Sequence, residues 1–313
     1  MLMKTVILRP LVDEDRTAHA ALLHRAFNTW YSAHGWPSDY FGCTPEQAGI
    51  FMDIYGDISP GGSVAAFDPL TGDMMGACFY HPRERHVSLG VMAVSPDYFK
   101  RGVGRALVDH IVRFTEENQY PALRLVGSAI NMDSFSLYNR SGFVPRGSYH
   151  DLIIPVPKTG LQVNFPQRER VREAMALDVD AMAELEESVS GITRINDYRY
   201  AIDNPRGALH ALVYDNGHGG IDGFMIAVKH AALNMLGPCV ARNETAALAL
   251  ILQATEHYRG AVPLLVVPMD KPAMVHTLYA WGARNVETHL FQVRGEFQPF
   301  NGVSLPSFLP ETG

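Results

Sequence analysis

The amino-acid sequence carries the same series of patterns twice, spaced by roughly 140–150 residues, and this repeat constrains the fold more than any other feature. The stretch LNMLGPCVA in the second half matches VSLGVMAVSP in the first, and LYAWGA matches LYNRSGF. Each half begins with a strand pattern, an acidic turn and a helical pattern. A chain of 313 residues has room for two ordinary domains, so we predict two copies of one fold.

Several strand patterns follow one another in each half before helices and strands alternate. In the first half, residues 4–12 predict a strand, a helical pattern follows, and a hairpin precedes the strand over 87–94. This order of strands and helices predicts a domain of the α/β class in its mixed α+β form. It is not the order of a doubly wound sheet. The segment around residues 155–170 contains three prolines and a glycine and has little helical periodicity, which predicts a linker. We therefore expect domains over 1–157 and 169–313, joined by residues 158–168.

Composition argues against several classes of function. The net charge of −7 disfavours a nucleic-acid-binding protein, because neither half carries a dominant basic stripe. Cys43, Cys78 and Cys239 have neither disulfide nor metal-ligand spacing, so we expect a reducing cytoplasm and no bound metal. The sequence reaches Asp13 too early for a secretory signal, and it has no run of about 18 apolar residues that would span a membrane.

Two glycines stand at the start of a predicted helix in VSPDYFKRGVGRALV, residues 94–108. A helix N-terminus has unpaired N–H groups and a partial positive charge, and glycines let a phosphate approach that backbone closely. Gly104 is followed by Arg105 where a Walker loop needs lysine, and Leu107 stands where a dinucleotide fingerprint needs a third glycine. A simple strand-to-helix turn remains the alternative for Gly102 and Gly104.

The segment NMDSFSLYNRSGF, residues 131–143, predicts a short helix with a defined start and end. Asn131 can cap its N-terminus, and Ser134 and Tyr138 fall on one face. Gly142 can end the helix in a left-handed conformation. Taken by itself, this is an ordinary short helix.

Together the two segments resemble the GNAT superfamily of acyl-CoA N-acyltransferases. The family has a [QR]-x-x-G-x-[GA] loop after a strand, which falls here on Phe99–Gly104, and later an N-x-x-[AS]-x-x-x-Y-x-x-x-G-F segment, matched from Asn131 to Phe143. Phe99 departs from the usual Gln or Arg. The resemblance implies two tandem GNAT folds, each a mostly antiparallel, splayed central sheet flanked by helices. The second copy has RNETAALA in place of the glycine loop and Leu278 in place of the tyrosine, so we expect it to be degenerate.

The resemblance implies that the first half binds acetyl-CoA as the acyl donor. Backbone N–H groups of the glycine loop would hold the pyrophosphate, and the strand over 87–94 would pair with the pantetheine arm. The helix in residues 131–143 would approach the thioester. The implied cofactor-binding residues are Met92, Ala93, Val94, Lys100, Arg101, Gly102, Val103, Gly104, Arg105, Asn131, Ser134 and Tyr138. The side chains of Lys100, Arg101 and Arg105 are equally compatible with solvated surface positions.

The implied reaction is direct attack of an amine on the thioester, without a covalent enzyme intermediate. Tyr138 would protonate the departing thiolate, since a phenol is a competent donor to it. The candidates for the base are Glu84, His86 and Ser128, each of which also suits a structural role.

An aromatic segment in the first half is the expected acceptor side. The candidate acceptor-binding residues are Trp30, Tyr31, His34 and Trp36, whose rings could bind an amine by cation–π contact or pack against the sheet. We expect a small-molecule amine, with a protein lysine or N-terminus and a homodimer left open. A non-catalytic acyl-CoA or metabolite sensor on the same fold is the alternative function.

Overall fold

The computed structural model describes residues 6–312, so the first residues of the strand predicted over 4–12 lie outside it. The α-helices are α1 Arg16–Ala33, α2 Ile50–Ile58, α3 Val103–Glu117, α4 Met132–Arg140, α5 Val179–Ser190, α6 Ile195–Asp203, α7 Glu244–Ala254 and α8 Pro272–Ala280. The strands of the first half are β1 Ile7–Arg9, β2 Ser63–Phe67, β3 Met74–Pro82, β4 Val87–Val94, β5 Ala122–Ser128 and β6 Val144–Ile153. Those of the second half are β7 Val171–Glu173, β8 Leu209–Asp215, β9 Ile221–His230, β10 Leu233–Ala241, β11 Leu264–Pro268, β12 Arg284–Gly295 and β13 Val303–Leu305. Among the described residues, no helix is long and apolar enough to cross a membrane.

The strands of both halves form one continuous sheet in the order β1-β2-β3-β4-β5-β12-β6-β11-β10-β9-β8-β7. Most neighbours are antiparallel, whereas β4 with β5 and β10 with β11 are parallel. Each half therefore has the mixed, mostly antiparallel sheet that the sequence predicted. The continuity between the halves was not predicted.

Strand β6 of the first half and strand β12 of the second half are exchanged at the centre of the sheet. Strand β12 of the second half pairs with β5 of the first from Ala122↔Gly295 to Ser128↔His289. Strand β6 of the first half pairs with β11 of the second from Ile153↔Leu264 to Tyr149↔Pro268. β6 and β12 also pair with each other, so four strands with alternating origin hold the halves together.

Helices cover both faces of the sheet. We call the side packed against α1, α2, α5 and α6 the front face, and its core includes Leu23, Ile54, Phe224 and Phe291. On the back face, α3 and α4 cover the first half, and α7 and α8 cover the second. Helix α3 begins at the glycine pair, as predicted, and its apolar residues recur on one face, where Leu107 and Ile111 are completely buried.

A buried ion pair also joins the two halves on the front face. Arg83, in the turn between β3 and β4, donates from Nη2 to Asp197 Oδ2 of α6 at 2.7 Å. Both side chains are almost inaccessible to solvent, so each charge is balanced by its partner and not by water. The segment predicted as a linker, 158–168, has no helix or strand apart from a 3₁₀ turn that begins at Arg168. The boundaries at 157 and 169 remain a prediction.

The exchanged strands predict that the halves stay associated after the chain is cut. Lys158 and Thr159 are exposed, so a protease site inserted after Thr159 is accessible. We expect the two fragments to co-elute in size-exclusion chromatography without denaturant, because β12 and β6 keep their sheet partners. Fragments that separate under these conditions would contradict the exchanged arrangement.

Candidate functional site

The sheet of the first half opens between its two parallel strands. β4 and β5 pair only at Val87↔Leu123 and Ser88↔Arg124, after which no residue pairs join them. Both strands continue, β4 to Val94 and β5 to Ser128. Their facing edges therefore diverge and leave a gap, which we call the first gap, with backbone groups available for a ligand.

A β-bulge marks the middle of β4 beside the first gap. Leu89 pairs with Tyr80 and Met92 with Cys78, so two residues of β4 stand opposite one residue of β3. The bulge falls on Gly90–Val91, where it bends the strand and redirects its backbone groups.

The three strand residues predicted to bind the cofactor follow this bulge. Met92 and Val94 are half-buried, and Ala93 is buried in the front-face core. Their other edge pairs with β3, so the edge toward the first gap is free to pair with an extended ligand. Val103 is buried among the back-face residues, so its backbone N–H, and not its side chain, is the group that can reach a ligand.

The glycine loop ends next to the first gap on the back face. Gly102 has φ of 84° and is the N-cap of α3, a left-handed conformation that glycine adopts without strain. A Cβ at Gly104 would lie 3.4 Å from Leu137 Cδ2 and 3.7 Å from Val94 Cγ2. The start of α3 is thus packed between α4 and the end of β4, with its free N–H groups at that junction.

The charged side chains of this loop point into solvent. Lys100, which also has a positive φ of 60°, and Arg101 are exposed. Arg105 lies 3.5 Å from Asp109 in an exposed pair one helical turn apart. Phe99, at the position where the family has Gln or Arg, is 40% exposed. The loop can therefore offer backbone N–H groups and mobile cationic side chains, but no buried charge.

Helix α4 places a tyrosine toward the first gap. Asn131 caps the helix as predicted, because its Oδ1 accepts from Ser134 N at 3.0 Å. Ser134 Oγ in turn donates to the Asn131 carbonyl, so both side chains support the start of the helix. Tyr138 is buried, its ring packs against the Gly127 backbone, and its hydroxyl has no hydrogen-bond partner among residues 6–312. Burial raises the pKa of Tyr138 and keeps the phenol protonated.

The residues predicted to bind the acceptor lie on α1 and the loop that follows it. Tyr31 is buried and stacks on Tyr40 with ring centroids 3.6 Å apart, and Trp36 contacts both rings edge-on. Trp30 meets the Tyr31 ring edge-on at 5.0 Å and stacks on His34, which is exposed. The structure therefore brings all four predicted residues into one series of ring contacts, with His34 at its exposed end.

Two of the three candidates for the base lie at the closed end of the first gap, and the third lies at its open end. Glu84 is exposed in the turn before β4, at the closed end of the first gap. His86 is completely buried there and its ring contacts Ser88 Oγ, while burial and then Arg124 and Arg83 lower its pKa well below 6.5. Ser128 instead ends β5 at the open end of the gap. Of the three, Ser128 is the one placed where an acceptor could reach it.

The exchanged strands bring three further ionisable groups to the open end of the first gap, Glu287 and His289 on β12 and Asp151 on β6. Ser128 Oγ donates a short hydrogen bond to Glu287 Oε1. His289 Nδ1 lies 2.9 Å from Asp151 Oδ2, and Asp151, Glu287 and His289 are all buried with ligand atoms within 4.8 Å of one another. The sequence analysis missed this cluster. Polar residues at alternate positions of NVETHLFQV were the only local signal.

The C-terminal segment reaches the first gap from the front. Residues 306–312 follow β13 and fold into a buried turn. Tyr55 of α2 donates from its hydroxyl to the Phe308 carbonyl at 2.8 Å. The Phe308 ring lies 5.0 Å from the His289 ring between centroids, so this segment contacts the group of buried ionisable residues at the open end of the gap.

The second copy of the fold has the corresponding gap closed. β10 and β11 pair in parallel only at Met235↔Leu264, but β13 adds to β10 antiparallel from Cys239↔Leu305 to Ala241↔Val303. The β10 bulge carries Pro238, which has no N–H group. Asn243 caps α7 through Ala246 N, so the helix start that follows is already satisfied.

Comparison with known proteins agrees with this architecture. Residues 27–143 match the sequence model described as Acetyltransferase (GNAT) family, and residues 182–300 match the one described as Acetyltransferase (GNAT) domain. The chain is a member of the GNAT acyl-CoA N-acyltransferases, with two GNAT folds in tandem. A search of curated proteins gave no match.

Solved structures show the same fold over nearly the whole chain. A proposed acetyltransferase from Pyrococcus horikoshii has a TM-score of 0.76 at 16% identity, covering 99% of this chain and 97% of the other. A GCN5-related N-acetyltransferase from Sphaerobacter thermophilus has a TM-score of 0.60 at 16% identity, covering 95% and 97%. A tandem GNAT protein from the clavulanic acid biosynthesis pathway has a TM-score of 0.59 at 14% identity, covering 93% and 98%.

The buried cluster predicts an elevated His289 pKa. Burial opposes the imidazolium, but attraction to Asp151 and Glu287 outweighs it and raises the pKa above the ordinary value of 6.5. The folded state then holds a proton that the unfolded chain releases, so this pair stabilises the fold below pH 6.5 and loses that contribution as the pH rises through the folded pKa. We expect the His289 ring to titrate above 6.5 by NMR, and at lower pH in Asp151→Asn. If the His289 ring titrates with the same midpoint in the unmodified protein and in Asp151→Asn, Asp151 does not stabilise the protonated imidazole.

Proposed function

We propose that this protein is an acetyl-CoA-dependent N-acetyltransferase that moves an acetyl group to a primary amine by direct attack, with the first half as the catalytic half. The observation that carries this proposal is the open first gap beside the glycine start of α3. The second copy has neither feature, because β13 fills its gap and Asn243 caps its helix. Membership of the chain in the GNAT family indicates the class of reaction, and the single open gap indicates the half of the chain in which the reaction would take place.

The residues around the first gap fit the parts of acetyl-CoA. N–H groups at the start of α3 suit the pyrophosphate, which gains from the partial positive charge of the helix end. The free edge of β4 from Met92 to Val94 suits an extended amide-containing arm, which would pair with it as an added strand. The exposed side chains of Lys100, Arg101 and Arg105 would approach the phosphates from solvent, Arg105 by leaving its exposed pair with Asp109. Asn131 has its Oδ1 engaged in the helix cap, so any contact with the arm would use its Nδ2 group.

Tyr138 is the proposed acid. As the amine attacks the carbonyl, the C–S bond breaks and the sulfur takes the electron pair. The Tyr138 hydroxyl is protonated, buried near the first gap, and free of any hydrogen bond among the described residues that would compete for its proton. In this proposal, N–H groups near the Gly90–Val91 bulge would polarise the carbonyl oxygen.

The acceptor would approach from the front face. Tyr31, Trp36 and Tyr40 form an aromatic wall there, and Phe308 of the segment 306–312 lies nearby against His289. Aromatic rings attract cations, which suits an amine that arrives as an ammonium ion. We propose a small-molecule amine as the acceptor.

Thiol release from acetyl-CoA tests the proposed activity. The full-length protein is incubated with acetyl-CoA and a panel of aliphatic amines, aryl amines and amino acids, and free CoA is measured against a protein-free control. We expect amine-dependent release with at least one primary amine. Tight acetyl-CoA binding without release across the panel would instead support the sensor function.

Substitution of Gly104 tests the cofactor site. The Cβ of Gly104→Ala meets its neighbours at ordinary contact distances of 3.4 and 3.7 Å, so this variant is the matched control. Gly104→Asp adds a carboxylate beside the pyrophosphate, and we expect acetyl-CoA affinity to fall by about tenfold or more from charge repulsion. Because a Cβ at this position faces Leu137 and Val94, thermal unfolding is measured to verify that Gly104→Asp is folded.

Isothermal calorimetry with acetyl-CoA compares the two Gly104 variants with the unmodified protein. We expect one binding event per chain, a similar Kd for Gly104→Ala and a weakened Kd for Gly104→Asp. If Gly104→Asp binds as tightly as Gly104→Ala, the cofactor lies elsewhere.

Tyr138→Phe tests the acid. The change removes the proton donor but keeps the ring that packs against Phe143 at 5.8 Å between centroids. We expect kcat to fall by about 10²–10⁴ with little change in KM or acetyl-CoA affinity, because the proton is needed only as the sulfur gains charge. Steady-state kinetics with kcat within about threefold of the unmodified enzyme would remove Tyr138 from the mechanism.

A further inference from the structure

A carboxylate from the second half lies beside the first gap. Glu287 belongs to β12, the exchanged strand, and is 5% exposed. Strand β12 lies directly against β5, whose last residue, Ser128, stands at the open end of the gap. The exchange therefore carries a side chain from the degenerate copy into the site of the other copy.

The hydrogen bonds of Glu287 come from groups already placed around the site. Ser128 donates to Oε1, and the Tyr31 hydroxyl donates to Oε2 at 3.1 Å. The Tyr40 hydroxyl also donates to Oε2, at a longer 3.4 Å. Ser128, at the end of β5, and two tyrosines of the aromatic wall therefore all donate to one carboxylate.

Glu287 has no fixed cationic partner. Among residues 6–312, no lysine or arginine lies within ion-pair distance of its carboxylate. A buried carboxylate is costly unless it is paired, and hydroxyl donors satisfy only part of its bonding capacity. The other charged groups facing it are Asp151 of β6 and His289 of its own strand, which pair with each other. The site lacks one cation, and an ammonium ion would supply it.

We propose that Glu287 is the general base of the acetyl transfer, binding the ammonium group of the acceptor and taking its proton. This inference rests on the proposed function and adds the residue that makes the acceptor nucleophilic. It also gives the second copy a chemical task, because the base comes from its strand β12.

The proton and electron movements balance with the groups on either side of the gap. One N–H proton passes to a Glu287 carboxylate oxygen, and the nitrogen lone pair forms the bond to the thioester carbon. The C–S bond breaks, and the sulfur accepts the proton of the Tyr138 hydroxyl to leave as the free thiol. The nitrogen loses a second proton as the amide forms, and this proton restores the Tyr138 hydroxyl by way of solvent. Glu287 releases the first proton to solvent, so one proton is released overall and no further reactant is required.

Glu287→Gln is the direct test. Glutamine keeps the length and the acceptor oxygen for Ser128 or Tyr31 but cannot take a proton. With an aliphatic primary amine at neutral pH, we expect kcat/KM to fall by about 10²–10³ while the Kd of acetyl-CoA stays unchanged. Glu296→Gln makes the same chemical change at an exposed residue just beyond β12 and should remain fully active. Thermal unfolding of all variants verifies that they are folded.

Two kinetic readouts distinguish a base from a structural carboxylate. The rate of Glu287→Gln should keep rising with pH as solvent deprotonates the amine, whereas the unmodified enzyme should reach a plateau at lower pH. The loss should also shrink with an aryl amine, which is already neutral at the assay pH. A structural residue would lower stability and leave both the pH profile and the amine dependence unaltered.

The outcomes separate this inference from the proposed function. An unmodified protein that transfers acetyl to no amine overturns both. An active enzyme whose Glu287→Gln variant stays within threefold overturns the role of Glu287 alone. Stoichiometric metal in the purified protein that disappears in Glu287→Gln would also overturn it, because Asp151, Glu287 and His289 would then be ligands.

Discussion

The divergence of two parallel strands after only two residue pairs is the constraint on which the rest of the structure depends. Strands β4 and β5 begin as neighbours and then separate, and hydrogen-bonding edges inside a sheet are costly unless something pairs with them. In the first half the open edges meet the start of α3 on the back face and aromatic residues on the front face. In the second half the chain fills the same opening with β13. One fold, copied twice, therefore leaves one open gap.

The exchange of β6 and β12 explains how the second copy contributes to a site that it does not itself contain. A chain that only joined two domains by a linker would place their sheets independently. Here β12 replaces the strand that would otherwise complete the first sheet, so its side chains become part of that half. Glu287 and His289 lie at the open end of the gap for this reason, and the Arg83–Asp197 pair fixes the halves at the closed end.

Local patterns in the sequence were sufficient for the fold class, the family and the local structure around the glycine loop and α4. The glycine at the start of α3, the cap at Asn131 and the tyrosine four residues before Gly142 are each encoded within a few residues. The strand exchange was not predictable, because the pairing of β12 with β5 joins residues that are far apart in sequence and leaves the periodicity of each strand unchanged. Glu287 consequently looked like an ordinary strand residue. Glu84 and His86 looked suitable as bases because the sequence does not reveal that their end of the gap is closed.

The central claim is that one chain contains one open gap, formed by the first copy and completed by the second. Hydrogen exchange of the full-length protein with and without acetyl-CoA, read by mass spectrometry, tests it most directly. Bound ligand should slow exchange at amides from about Val91 to Ala106, because the edge of β4 and the start of α3 gain partners, while residues 237–250 remain unchanged. Slowed exchange in 237–250, or none in β4 and α3, would contradict the account.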